Sequence, residues 1–513
     1  MLPSSHYITR LPRPSSLLPS LSSISTSSTP PSSATPVNEP GYLGYLSHAL
    51  SNLTWNLPWS SASHAKDKPT TVESHDRSRP IVMKISRSEV TARTTSLVSK
   101  LIVAETPSSQ LLRVQELSEH LKEFPPTRLS AVQDGRLISV LLSLESSAKK
   151  EKLRNEARLC LALCGYVSPP KGRGINLLAI DGGGTRGMMG LEVLEALETA
   201  SGKKVHELFD HMIGVSTGAI ITTLLGVKKL SVDEARQLYL SISRQLFSQS
   251  MIRGTSGLIW NHSYYDTKKW IATLNELVGE QTLVSSSKEE GTPKVAILST
   301  IVNLPLIQAH VFRNYEYPPG KDSHYRGGGN HSLAQAVQAS AAAPGYFEEV
   351  VLGTLLHQDG GVIANNPTAI GIHETRMLWP EEKLNCVVSI GNGRSVQEPE
   401  PTSLFTASNA VNKMLKIVDS ATDTEATHRA VCDLLSEKVY YRLNPYMTHP
   451  YGLDEIQPDR LDQMVVDAKL YVRRNKSKIE AAADRLILRP TVSQMVTRTF
   501  KHYGDSHGRF KAY

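Results

Sequence analysis

Cysteine is scarce: Cys160, Cys164, Cys386 and Cys432 are the only four in 513 residues. Sulfurs so few and so scattered build no disulfide framework, and a reducing intracellular compartment is expected. They also lack paired C-x-x-C spacing with histidines, which argues against a structural zinc site. Aromatic residues supply only 6% of the chain and do not interleave with basic ones, so no nucleic-acid partner is expected. No stretch of about 18 uninterrupted apolar residues occurs, which excludes an ordinary transmembrane helix. The formal net charge of +7 is a mild excess, compatible with an anionic membrane surface or with nucleic acid, and does not choose between them. With 40% hydrophobic and 20% charged residues, a chain of this length can bury a substantial core.

Acidic residues are nearly missing from residues 1–40, where only Glu39 occurs, while Ser supplies 12 and Pro 8 of the positions. Such a segment cannot bury enough apolar surface to offset its ordering entropy, and disorder is expected. The same composition suits an organelle transit peptide or a plain tail. Leu43, Leu46, Leu50, Leu53 and Leu57 then fall on one helical stripe ended by Pro58. That helix either lies in a membrane surface or docks on the protein's own core.

The sequence divides into a disordered or targeting segment at 1–85, a helical region at 86–170, an α/β domain at 175–450 and a helical segment with a polar tail at 451–513. In the second, apolar residues at helical spacing suggest a small repeat module of armadillo-like type. Cys160 and Cys164, one helical turn apart, read as core residues. In the third, β-branched runs such as INLLAI (175–180), KVAILSTIV (294–302) and NCVVSIG (385–391) alternate with helical patterns. This texture predicts a three-layer α/β/α domain with a mostly parallel sheet.

Three constellations carry chemistry. In the first, the strand 175–180 runs into Gly182, Gly183 and Gly184 and then a helix. Backbone N–H groups at such a turn form an anion site for a phosphate or for a transient oxyanion. A dinucleotide site would also fit G-x-G-x-x-G, but the strand leading to Glu207 and Asp210 is poor. The second is Gly214-Val215-Ser216-Thr217-Gly218, a G-x-S-x-G between a short strand and an apolar helix, the context that exposes a nucleophilic hydroxyl. A second match, Gly504 to Gly508, lacks a leading strand and reads as a flexible polar tail. In the third, Asp359-Gly360-Gly361 follows an apolar run. A desolvated carboxylate there could serve as base to a serine, and an ordinary Asp-Gly turn is the alternative.

Together with the strings LFDHMIGVSTGAI, SAAAPGYF and HQDGGVIANNP, these motifs resemble the patatin-like phospholipases, and more narrowly the calcium-independent phospholipase A2 of gamma type. The resemblance runs in order from about Gly165 to beyond Asn475. It implies a Ser216–Asp359 dyad hydrolysing glycerophospholipid esters, with Gly182, Gly183 and Gly184 as oxyanion hole and no cofactor or metal. Gly214, Gly218, Gly360 and Gly361 would shape the turns. Arg186 would steady the loop, meet local negative charge or act structurally. The implied partner is a phospholipid bilayer, engaged peripherally, with homodimerisation left open. A catalytically silent lipid-binding scaffold of the same fold is the alternative. The chain departs from the family at Ala341 and Ala342, where Ser is common, and at Asn392. It ends Lys511-Ala512-Tyr513 rather than in Ser-Lys-Leu, so mitochondrion or endoplasmic reticulum is expected over peroxisome. Lipid contacts are expected at 41–57 and at Trp260, Tyr264 and Tyr265. The basic run Arg473, Arg474, Lys476 and Lys478 faces headgroups or solvent. His373 would complete a rival Ser–acid–His triad.

Overall fold

Helix starts in the first part of the chain are set by local capping. Ser86 and Glu89 form a capping box before the helix Arg87–Ile102, and Thr106 caps Pro107–Glu123 with proline at its first position. Helices Arg136–Ser147 and Glu151–Leu163 follow. These features come from a computed structural model of the chain, which describes residues 86–247, 266–279, 281–395 and 424–510. The expectations for 1–85, the 41–57 stripe included, and for Trp260, Tyr264 and Tyr265 fall outside those residues. The four helices bury a shared core of Leu101, Val114, Leu117, Leu141, Leu153, Cys160 and Cys164, joined by Val284 from the domain that follows.

That domain is built on a nine-stranded sheet. Its main path runs β5-β4-β3-β2-β1-β8-β9, from β1 (Ile175–Ile180), β2 (His211–Val215), β3 (Lys294–Ile301), β4 (Gln308–Arg313), β5 (Arg326–Gly328), β8 (Leu384–Ile390) and β9 (Tyr440–Leu443). β3, β2, β1, β8 and β9 are mutually parallel, and β4 is antiparallel to β3. Alternate residues feed opposite faces, as strand geometry requires. Leu178, Ile180 and Met212 enter one helix-covered core, while Leu177, Ala179, Ile213 and Val215 enter the other. Helices thus cover both faces of the sheet, as predicted.

The hairpin β6 (Val350–Leu352) and β7 (Leu355–Asp359) joins this sheet unusually. β4 occupies one side of β3 from Ala296 to Ile301. On the other side β2 pairs as far as Val215 opposite Leu298, and β7 takes over with Asp359 opposite Ser299. β2 and β7 therefore meet end to end along the same side of β3.

The sequence suggested a frayed, polar end after residue 489. Instead a helix spans Val492–Ser506, opened by a Thr491–Gln494 capping box. Arg498 forks onto Glu382 and also donates to the carbonyls of Pro170 and Gly172. Such long-range anchors have no local signature. Among the described residues no helix is long and apolar enough to cross a membrane.

Candidate active site

Ser216 sits at the turn between β2 and the helix Thr217–Thr222, with φ 53° and ψ −122°. A non-glycine residue held there stores strain that its surroundings must enforce. Two glycines make the turn sterically feasible. A Cβ on Gly214 would lie 2.1 Å from the Gly218 carbonyl oxygen, and one on Gly218 would lie 2.2 Å from that of Ile180. The Ser216 amide donates to Ser340 Oγ at 2.9 Å, and Ser340 Oγ donates to the Leu298 carbonyl at 2.6 Å. Ser340 thereby ties the serine turn to β3 just where β2 stops, a role that sequence reasoning missed.

Asp359 ends β7 at that same junction. Its amide donates to Ala342 O, and the following Gly360 amide donates to Ser340 O. One segment, 340–342, thus holds both the serine and the acid. The Asp359 carboxylate is buried and accepts the Gly361 amide at 2.7 Å, and the Ser216 side chain lies on the same cavity, near enough to act on its pKa. Burial raises its pKa to about 6, against the lowering effect of the Gly361 amide and the Ser216 hydroxyl. A Cβ on Gly360 would meet the Leu298 carbonyl at 2.2 Å, so the chain can pass this close to β3 only as glycine.

The three loop glycines are not equivalent. The Gly182 amide donates to Asn365 O at 3.2 Å, so of the three amides expected to form an oxyanion hole this one is already engaged. Gly183 and Gly184 line the cavity above Ser216, and their amides have no acceptor among the described residues. Arg186 donates to the Gly183 carbonyl through its amide at 3.2 Å and its Nε at 3.1 Å. Because a peptide unit is planar, pinning that carbonyl also aims the Gly184 N–H. Gly184 itself has φ +55° and its carbonyl accepts from Tyr239 and Thr217. Asn392 Nδ2 holds the Asp181 carbonyl at 2.6 Å, and Asp181 pairs with Arg442 at 2.6 Å. These supports come from remote segments, and no spacing rule points to them. Asp210, considered for a ribose, instead caps the amides of Lys171 and Asn176 at 2.9 Å.

The cavity encloses about 160 Å³, and Ile242, Leu246, Phe247, Trp270 and Phe347 give it an apolar wall opposite Ser216 and Asp359. Such a pocket suits a hydrocarbon chain delivered to a polar end. Among the described residues no histidine lines it. His373 lies on the helix Thr368–Leu378, bonded to Ser323 Oγ at 3.1 Å and stacked edge-on against Tyr325. We therefore expect His373→Ala to keep esterase kcat/KM within a few-fold of wild type. A loss as deep as that of Ser216→Ala would reinstate the triad.

Residues 178–372 match the family described as Patatin-like phospholipase. The chain is 42% identical over 424 residues to the rabbit (Oryctolagus cuniculus) calcium-independent phospholipase A2-gamma, covering 82% of this chain and 53% of that one. The human protein of the same name is 41% identical, with 82% and 54% covered. The cUMP-AMP-activated phospholipase of Escherichia coli is 30% identical over 244 residues, covering 45% of this chain and 68% of that one. The chain thus spans about half the length of the animal relatives.

Proposed function

Because the chain belongs to the patatin-like phospholipase family, we propose that it is a serine hydrolase of membrane glycerophospholipids, releasing a fatty acid and a lysophospholipid. The observation that carries this reading is the juxtaposition of Ser216, on its strained turn, with the buried Asp359 in the lining of one apolar-walled cavity. In the proposed reaction the Asp359 carboxylate accepts the Ser216 proton as Oγ attacks the acyl carbonyl. The tetrahedral oxyanion forms beside the Gly183 and Gly184 amides. Collapse breaks the ester bond, and the departing lysophospholipid oxygen takes the proton back from Asp359. Asp359 then deprotonates a water that attacks the acyl-enzyme carbonyl; the bond from the acyl carbon to Ser216 Oγ breaks, the fatty acid leaves, and Ser216 Oγ takes the proton back from Asp359. Backbone amides carry the electrostatic task that a cation performs in metal-dependent lipases, so calcium is not called for. Labelling of the full chain with a fluorophosphonate probe under calcium chelation tests the assignment. Wild type should label and Ser216→Ala should not. Labelling that persists in the variant rejects Ser216 as nucleophile.

We further propose which edge meets the bilayer. The loop after β3 leaves the same carboxyl edge of the sheet as Ser216, and it carries Leu306, 77% exposed, and Ile307, 49% exposed. Asn303 ties this loop to the β6–β7 hairpin through Thr354 O and the Leu356 amide, and Val351 of that hairpin is 68% exposed. Three large apolar side chains thus project on one hydrogen-bonded unit at the substrate edge, where a lipid surface would cover them. Leu306→Ser with Val351→Ser should lower binding to phosphatidylcholine vesicles by about tenfold, from two aliphatic side chains partly buried on contact. Hydrolysis of a short soluble ester should be unchanged, and unaltered vesicle binding would discard this surface.

A further inference from the structure

A second cavity, of about 440 Å³, lies among the loops that follow β8 and β9, next to the glycine loop but outside the chemistry described above. Arg394, Arg442, Arg474 and Lys478 line it, against Glu425 and Asp467. The two acids are already engaged. Asp467 accepts from Thr448, Gln463 and Tyr451, and Glu425 accepts from Arg442 and Asn444. Arg442 is matched by Asp181 and Glu425.

Of the remaining cations, Arg394 shares Glu425 with Arg442, and Arg474 and Lys478 have no carboxylate partner among the described residues. Arg394 approaches Glu425 only to 3.9 Å, and its buried Nε has no acceptor among the described residues. Its position is nevertheless fixed. Its backbone bridges to Pro445 O and the Met447 amide at 2.9 Å each, and its guanidinium lies 3.8 Å from the centroid of the Tyr446 ring. Arg474 forms no ion pair with a described residue, and Lys478 Nζ reaches only the Arg442 carbonyl, at 2.7 Å. Arg394, from the loop after β8, and Arg474 and Lys478, four positions apart at the junction of two helices, therefore line one space with positive charge left over. A planar carboxylate would satisfy at most two of them, whereas a tetrahedral dianion offers an oxygen to each.

We propose that this cavity binds a phosphate monoester group, its oxygens taken by Arg394, Arg474 and Lys478. The group could be carried by a soluble metabolite or by a lipid headgroup. The proposal is independent of hydrolysis, so Ser216→Ala must bind as wild type does. The test uses the full chain with two probes: glycerol 3-phosphate in titration calorimetry, and phosphatidylcholine vesicles with and without phosphatidic acid in flotation. The comparison variant is Arg394→Gln with Arg474→Gln, its fold checked by circular dichroism, and Lys478→Gln serves as a second variant. Binding of glycerol 3-phosphate that weakens at least about tenfold in the variants supports a soluble ligand. Dependence on phosphatidic acid alone, lost in the same variants, supports a headgroup. No binding of either probe by wild type, or equal binding by wild type and variants, overturns the proposal.

Discussion

Ser216→Ala should lower fatty-acid release from phosphatidylcholine vesicles by about four orders of magnitude or more, and Asp359→Asn by nearly as much. The losses should be deep because the proposed machinery has only two side chains, both lining the same cavity. Without the hydroxyl no acyl-enzyme forms. Without the carboxylate, neither Ser216 nor the later water has a base. Groups acting as one unit are not additive, so the double variant should be no worse than the deeper single one. The same pair sets the pH profile. Burial raises the Asp359 pKa to about 6, and only the ionised form accepts a proton. Activity should therefore be full above that value and fall about tenfold per unit below it. Carboxylate variants that stay within about tenfold of wild type, or an acid limb centred near pH 4, would remove Asp359 from the role of base.

The second large effect concerns stability. Arg442 and Asp181 are 3% and 2% exposed at their side chains and pair at 2.6 Å behind the glycine loop. Arg442→Met would leave the Asp181 carboxylate buried without its partner, at a cost of about 3–5 kcal/mol. Burial, opposed by Arg442, already places the Asp181 pKa at about 6. The sign of the pH dependence follows. A carboxyl whose folded pKa is raised favours the folded state where it is protonated, and that contribution disappears as pH rises through about 6. The destabilisation of Arg442→Met should thus be largest near pH 8 and shrink toward pH 5, where Asp181 takes up a proton even in wild type. Urea unfolding at the two pH values measures this. Adding Asp181→Asn should recover part of the loss at pH 8, and no recovery would mean that the stranded charge is not its source.

The strands that place the site were readable from composition alone. INLLAI, KVAILSTI and LNCVVSI are apolar, β-branched and flanked by helical patterns, and they form β1, β3 and β8. The sharp turn at Ser216 was readable too, because glycines at 214 and 218 have a steric reason that any such turn shares. The meeting of Ser216 with Asp359 was not readable from periodicity, since 143 positions separate them and the register of β7 on β3, with the 340–342 segment, brings them together. Resemblance supplied that expectation. The engagement of the Gly182 amide by Asn365, the strut at Ser340 and the Arg442–Asp181 pair are also contacts between distant segments. The last helix was misread as a tail because its anchors, Glu382 and the carbonyls near residue 170, lie more than a hundred positions upstream.

β2 and β7 abut on a common rail, and this limits how such a catalyst can be adjusted. Neither strand can lengthen without pushing the other off β3, so the spacing of the proposed nucleophile and acid is a ladder distance, braced by the end of the helix that carries Ser340. Evolution or a bound effector would then find alignment hard to tune and access easy: throughput would be governed at the mouth of the apolar cavity, by whatever admits or withholds the acyl chain.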